Sequence, residues 1–237
     1  MQKQLKSLLP IALVFLTTTI AFAQNDSKAN TVSFSAADAK TKTDLELQKK
    51  ATEWVADLNL NNVSKEEKVK VAITSHLQTV RDWHNSHTPA TVPAGINPAT
   101  GNPLSELDRQ VIASSAMPKS VHESLMNVLK TELSPEQVES ILDKYTIGKV
   151  AFTLKGYQAI VPDLKPEEEA KILEYLKQAR EQAIDYKNMK EISAIFEIYK
   201  TKCEQYLNSN GRNWRQLYKV YTDAVKARKA AEQKTNN

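Results

Sequence analysis

Apolar and polar positions recur along most of this chain with a period near 3.6, the pattern of helices that bury one face. Leu47, Ala51, Trp54, Val55 and Leu58 share a face of a helix expected over Thr43–Leu58. Val69, Ala72, Ile73, Leu77, Val80 and Trp83 keep the same period over a second, Ser64 to Asn85. Its start is read from "SKEE", where Ser64 would accept a free N–H and Glu67 would return the bond. Further helices are expected from Ser105, with Asp108 three residues on, and from Pro118, a residue suited to a first helical turn. "LSPEQVESILDKY" (Leu133–Tyr145) and "LKPEEEAKILEYL" (Leu164–Leu176) begin alike. A staple residue, Pro and first-turn acids make them a shared recipe for starting a helix rather than a repeat.

The C-terminal third gives helices over Pro166–Tyr186 and Lys190–Asn208, then a last one carrying Trp214, Leu217, Tyr218, Tyr221 and Val225. Gly211 is the natural left-handed stop between them. Gly148–Pro162 fits two patterns. Val150, Phe152 and Leu154 alternate as in a strand, while Val150, Leu154, Tyr157 and Ile160 fit a helix. A lone strand would leave its backbone groups unpaired, so helix is preferred. The expected fold is all-α, a single-domain multi-helix bundle with one long ordered Pro/Gly loop.

The first residues do not fit this scheme. "MQKQLKSLLPIALVFLTTTIAFAQ" sets Lys3 and Lys6 before an apolar run that ends in Ala21-Phe22-Ala23. That is the layout of a signal peptide, with cleavage expected after Ala23 and delivery to a periplasm or the exterior. The run is short for a membrane span, and no Cys follows it to carry a lipid. The expected organisation is 1–23 signal peptide, 24–42 disordered leader, 43–230 helical domain and 231–237 flexible tail. The leader, "QNDSKANTVSFSAADAKTK", has almost nothing to bury.

Charge narrows the partners. The formal charge of +4 falls to +2 once Lys3 and Lys6 are removed, a mixed surface that argues against a nucleic-acid binder. The basic end, "KARKAAEQK", reads as a solvated helix terminus. With Cys203 the only cysteine, no internal disulfide can form, and its place on an apolar helix face predicts a buried, unreactive thiol.

Candidate chemistry concentrates in "RDWHNSHTPATVPAGINPATGNPLSELDRQ", Arg81–Gln110. Pro89, Pro93, Pro98 and Pro103 forbid regular structure there. An irregular stretch of this length in a compact domain is usually functional or disordered, and Val92, Ile96 and Leu104 can pack. If the loop folds back, His84 and Asp108 are the candidate acid–base pair, with Arg81 clamping an anionic oxygen. Trp83, His87, Asn97 and Arg109 are the further candidate ligand contacts. His84 and His87, three apart, could converge with Asp82 or Asp108 on a metal, but neither HExxH nor a Cys/His ribbon occurs, and no metal is assigned. No phosphate-loop, dinucleotide or nucleophile-elbow motif is present, and no cofactor is assigned. "NSNGRNWRQLY" has the Asn, Arg and ring of a sugar- or anion-binding loop, and equally those of a Gly- and Asn-capped helix corner, the preferred reading.

Several segments together resemble a known family: "VPAGINPATGNPLSELDRQ", "SAMPKSVHESLMN", "LDKYTIGKVAFTLKGY", "IVPDL" and "NMKEISAIFEIYKTKCEQYLNSNGRNWRQLYK". The chain is similar over about Ala51 to Ala230 to an uncharacterised "domain of unknown function" family of exported proteins from Bacteroides-type Gram-negative bacteria. The resemblance implies a glycan-metabolism context and carries no catalytic residues with it. Three functions stand open. The first is a periplasmic binding or accessory protein for a glycan or other small anionic ligand. The second is a carbohydrate hydrolase or lyase using His84 and Asp108. The third is a helical envelope chaperone or scaffold. A polar hollow joining His84 to Asp108 would favour the first two, and an exposed apolar groove the third.

Overall fold

The computed structural model describes residues 36–235 with the exception of Ala99. The expected signal peptide and the leader up to residue 35 lie outside the described residues. Among the described residues the regular structure is helical, with one isolated backbone bridge between Ile96 and Pro103. The helices are α1 (Ala36–Ala56), α2 (Val63–Ser86), α3 (Glu106–Ser115), α4 (Lys119–Glu132), α5 (Pro135–Thr146), α6 (Lys149–Ile160), α7 (Pro166–Ala183), α8 (Met189–Ser209) and α9 (Trp214–Thr235). No helix among them is long and apolar enough to cross a membrane.

Three helix boundaries differ from expectation. α1 starts at Ala36, so residues 36–42, expected in the leader, are helical; Thr41 and Thr43 each bond the carbonyl four residues back, and Lys40 pairs with Asp44 at 3.0 Å. α2 is capped by Asn62, whose Oδ1 accepts from Lys65 N at 3.0 Å, and Ser64 lies inside the first turn. Asparagine is a strong helix cap, and at its position two residues earlier it takes the role assigned to Ser64. The Ser105–Asp108 box opens α3 as expected, and Ser134 with Gln137 forms the same device before α5. At the far end α9 continues through residues 231–235, expected in the tail.

Gly148–Pro162 is helical. Ile147 and Gly148 both adopt left-handed backbone (φ 54° and 64°), ending α5 and launching α6 at once. Strand-like alternation would have grouped Phe152 with Val150 on one face. Instead Val150 and Tyr157 are buried and Phe152 is 79% exposed.

The apolar faces close into two adjoining clusters. α1, α2, α4 and α5 enclose Trp54, Ile73, Leu125, Leu129 and Ile141, while α6, α7 and α8 enclose Ile172, Leu176, Ile195, Phe196 and Leu207. Ile184, at the end of α7, belongs to the first cluster, so α7 joins the two halves. Arg180, 2% exposed, ties α7 to α5 through Glu139 (2.7 Å) and Asp143 (2.6 Å). Cys203 is buried in the second cluster, where desolvation pushes its thiol up to about 11, as befits an inert side chain.

Candidate functional site

The Arg81–Gln110 segment is an ordered corner. A 3-10 turn (Pro89–Thr91) leads to the Ile96–Pro103 bridge, closed by Asn97 N to Asn102 O and Leu104 N to Gly95 O at 2.8 and 2.9 Å. Val92 and Leu104 are half-buried, but Ile96 is 62% exposed and does not pack as expected.

Each residue singled out in this segment has an internal partner. Arg81 joins α2 to α1, its Nη1 on Asp44 at 2.5 Å and its Nε on Asp82 at 2.8 Å. Trp83 Nε1 donates to Ala113 O at 3.1 Å, and the His87 ring stacks on Trp83 at 3.7 Å. Arg109 holds Val92 O through Nε and Nη2. Asp108 accepts from Ser105 N and Oγ (2.9 and 2.7 Å), with Asn97 Nδ2 at 3.4 Å. These bonds to Ser105 hold its carboxyl below the ordinary range. The fold therefore brings together Trp83 with His87, and Asn97 with Asp108. It gives His84 a different carboxylate: Nδ1 stands 3.1 Å from Glu191 of α8, without the alignment of a hydrogen bond. Glu191, 1% exposed, also accepts from Ser114 at 3.0 Å and from Asn188.

A second polar network joins α2, α4 and the end of α7. Asp185 accepts from His76 Nε2 and His122 Nδ1, both at 2.9 Å, and His122 Nε2 lies 3.7 Å from Glu181. The bond to Asp185 raises the His122 imidazole above its usual value. Burial pushes the Asp185 carboxyl up, but the hydrogen bonds and charges of His122 and His76 outweigh it and leave it low. His122 and Asp185 border a cavity of about 440 Å³ with Ser114, Gln182 and Tyr199. The sequence reading missed His122. The signal was there: it stands three residues before Leu125 and seven before Leu129, on the inward face of α4. Among the described residues no group of three or more His, Cys, Asp or Glu is placed to hold a metal ion.

"NSNGRNWRQLY" is a helix corner. Gly211 takes φ 82°, Asn208 Oδ1 accepts from Trp214 N, and Asn213 Oδ1 from Gln216 N. Arg212 reaches across to Asp163 (2.7 Å) and to Glu168 of α7 (2.7 Å), which is 1% exposed and which also accepts from Lys165 N.

Just past this corner the rings open onto a cleft of about 590 Å³ between α6, α8 and α9. Trp214, Tyr218 and Tyr221 fall at i, i+4 and i+7 on one face of α9, and Phe152 and Tyr157 come from α6. Trp214 lies 5.1 Å from Tyr157 and stacks on Tyr218 at 6.0 Å, centroid to centroid. Phe152 and Tyr218 are 79% and 51% exposed, so apolar ring surface faces solvent. Tyr157 is fixed from behind by its hydroxyl, which donates to Lys200 O at 3.2 Å. Gly156 leaves open space where a side chain would stand. Lys149, Lys155, Glu197, Lys200 and Glu204 supply polar groups, Lys200 and Glu197 paired at 2.9 Å. Burial pushes the Glu204 carboxyl up.

A third hollow, about 1270 Å³, runs between α2 and α4 and is lined by Val71, Ala72, Val121, Leu125 and Val128 with small hydroxyl residues. Lys68 and Glu132 close a bridge across it at 2.8 Å.

Compared with known proteins, residues 45–227 match the profile of one family, described as Protein of unknown function (DUF3826). No curated protein matches the chain.

Proposed function

From the premise that the chain belongs to the DUF3826 family, whose description carries no activity, we propose that this is an exported glycan-binding or accessory protein whose ligand lies in the α6–α8–α9 cleft. The observation that carries the reading is the pair of solvent-facing rings, Tyr218 and Phe152, with the half-buried Trp214 stacked on Tyr218, held in place before any ligand arrives. Exposing rings to water is unfavourable, and a rigid apolar face with a few positioned polar groups is the usual make-up of a small-ligand site. The C–H face of a sugar ring suits such a surface, while Glu204, Glu197 and Lys200 can meet its hydroxyls. Export to a periplasm or beyond rests on the signal-peptide pattern before Gln24. The Arg81–Gln110 residues serve as the frame in this reading, because the side chains of Arg81, Trp83, Asp108 and Arg109 are already bonded within the chain.

Calorimetric titration of the chain without residues 1–23 against oligosaccharides tests it. At least one sugar is expected to bind, and Trp214→Ala or Tyr218→Ala to weaken it by about tenfold, roughly 1.4 kcal/mol. Circular dichroism should confirm that both variants stay folded. Binding unaffected in both folded variants would refute the assignment of the cleft.

A second reading, a helical scaffold or chaperone, is favoured by the α2–α4 groove, whose aliphatic lining suits a partner helix. Val71, 55% exposed on that groove, is the point to probe. Suppression of client aggregation by the wild type, lost in Val71→Glu, would support it, and no suppression would remove it.

A further inference from the structure

The charge beside the cleft is not spread evenly. α9 carries six cations (Arg215, Lys219, Lys226, Arg228, Lys229 and Lys234) against two acids, Asp223 and Glu232, a net of +4. The whole chain also sums to +4, so this one helix accounts for a charge equal to the entire excess. Both acids are engaged within the helix: Asp223 holds Lys219 at 2.6 Å, and Glu232 stands 3.9 Å from Arg228. α9 beyond Val225 is exposed on all sides through Lys234, so its cations meet solvent.

The register ties this charge to the rings. Lys229 lies eleven residues after Tyr218, three full turns on, so it continues the stripe of Trp214, Tyr218 and Tyr221 about 16 Å further along the axis. Across the cleft, Lys155 is exposed three residues after Phe152 and also lines the hollow. Rings in the centre are thus flanked by cations on two elements. Glu197, the most exposed acid of the cleft, is already neutralised by Lys200.

We infer that the ligand is an acidic glycan, a chain of uronic acid units whose ring faces lie on Trp214 and Tyr218 and whose carboxylates meet Lys155 of α6 and Lys229 of α9. This rests on the cleft being the glycan site. A single charged sugar would need only the groups inside the hollow. A cation continuing the ring stripe past the hollow suits a ligand that repeats its charge. Attraction of this kind is long-ranged and screened by salt, and lysines, as mobile point charges, suit carboxylates spaced along a polymer.

The test compares an oligomer of galacturonic acid with the same oligomer methyl-esterified at its carboxyls, which keeps the sugar rings and removes the charge, together with a single-stranded oligonucleotide. The wild-type chain should bind the acid form at least tenfold more tightly than the ester at 50 mM salt, with the gap closing toward 0.5 M. The double variant Lys155→Ala/Lys229→Ala should lose most of that gap and keep its affinity for the ester. Equal binding of acid and ester would overturn the inference and leave the glycan reading standing. No binding of either, nor of any neutral sugar, would remove both. Displacement of the acid oligomer by the oligonucleotide at lower concentration would overturn it in favour of nucleic acid, which also rewards rings flanked by cations.

Discussion

Ile147 shows what one residue contributes against its own preference. It is β-branched, 73% exposed, and sits at φ 54°, where an L side chain crowds the following carbonyl at a cost of about 1–2 kcal/mol. Asparagine tolerates that backbone, as Asn59 and Asn61 do here at φ 50° and 51°. Ile147→Asn is therefore expected to stabilise the fold by about 0.5–1 kcal/mol, a rise of roughly 2–3 °C in Tm. A lower Tm would mean that the isoleucine packs more than its exposure shows. The cost could not be foreseen from "YTIGKV", where Gly148 alone looks like the turn residue. Single residues were legible where their partners are close in sequence, as with Ser105 and Asp108, and illegible where they are distant. His84 finds Glu191 more than a hundred positions away, and nothing local distinguishes that acid from its neighbours.

Between helices the clearest device is Asp185, which fastens α2 and α4 to the end of α7 through His76 and His122. Its pH dependence has a definite sign. The raised His122 favours the folded state below its unfolded value of 6.5, and that contribution fades as pH rises through the folded value. The lowered Asp185 contributes above its unfolded value of 3.8 and fades as pH falls through the folded value. Glu181 faces the same imidazole and adds in the same direction as Asp185. Wild type should thus exceed Asp185→Asn in stability most strongly between about pH 4 and 6.5, by roughly 2 kcal/mol, the scale of a hydrogen bond between charged groups. Urea melts of both chains across pH 3–9 measure this. A difference that stays flat over the range would show that the carboxylate charge contributes nothing. At this scale helix existence was legible in the sequence, because each amphipathic face repeats its signal over several turns. Helix starts were less legible: both Asn62 and Ser64 are competent caps, and the chain uses Asn62.

At the scale of the molecule, two core clusters and a long corner between α2 and α3 make the frame. The corner was legible as ordered, since its prolines are stiff and its composition is not that of a disordered chain. Its purpose was not. Arg81, Trp83, Asn97, Asp108 and Arg109 are the residues of a binding loop by type, yet here their polar atoms are taken up in bracing α1, α2 and α3. The aromatic cleft shows the reverse. The sequence places Tyr157 on a helix face and Trp214 at a corner, and only the packing of α6 on α9 brings them 5.1 Å apart.

The sequence by itself determined the all-α class, the identity of the helices, the buried Cys203 and the Gly211 corner, because each rests on a local period or on backbone preference. The tertiary structure alone decided which polar groups are spent on one another and which rings remain open to solvent. Those outcomes depend on pairs of residues far apart in the chain, and a one-dimensional pattern records the face a side chain occupies but not what the opposing helix presents to it.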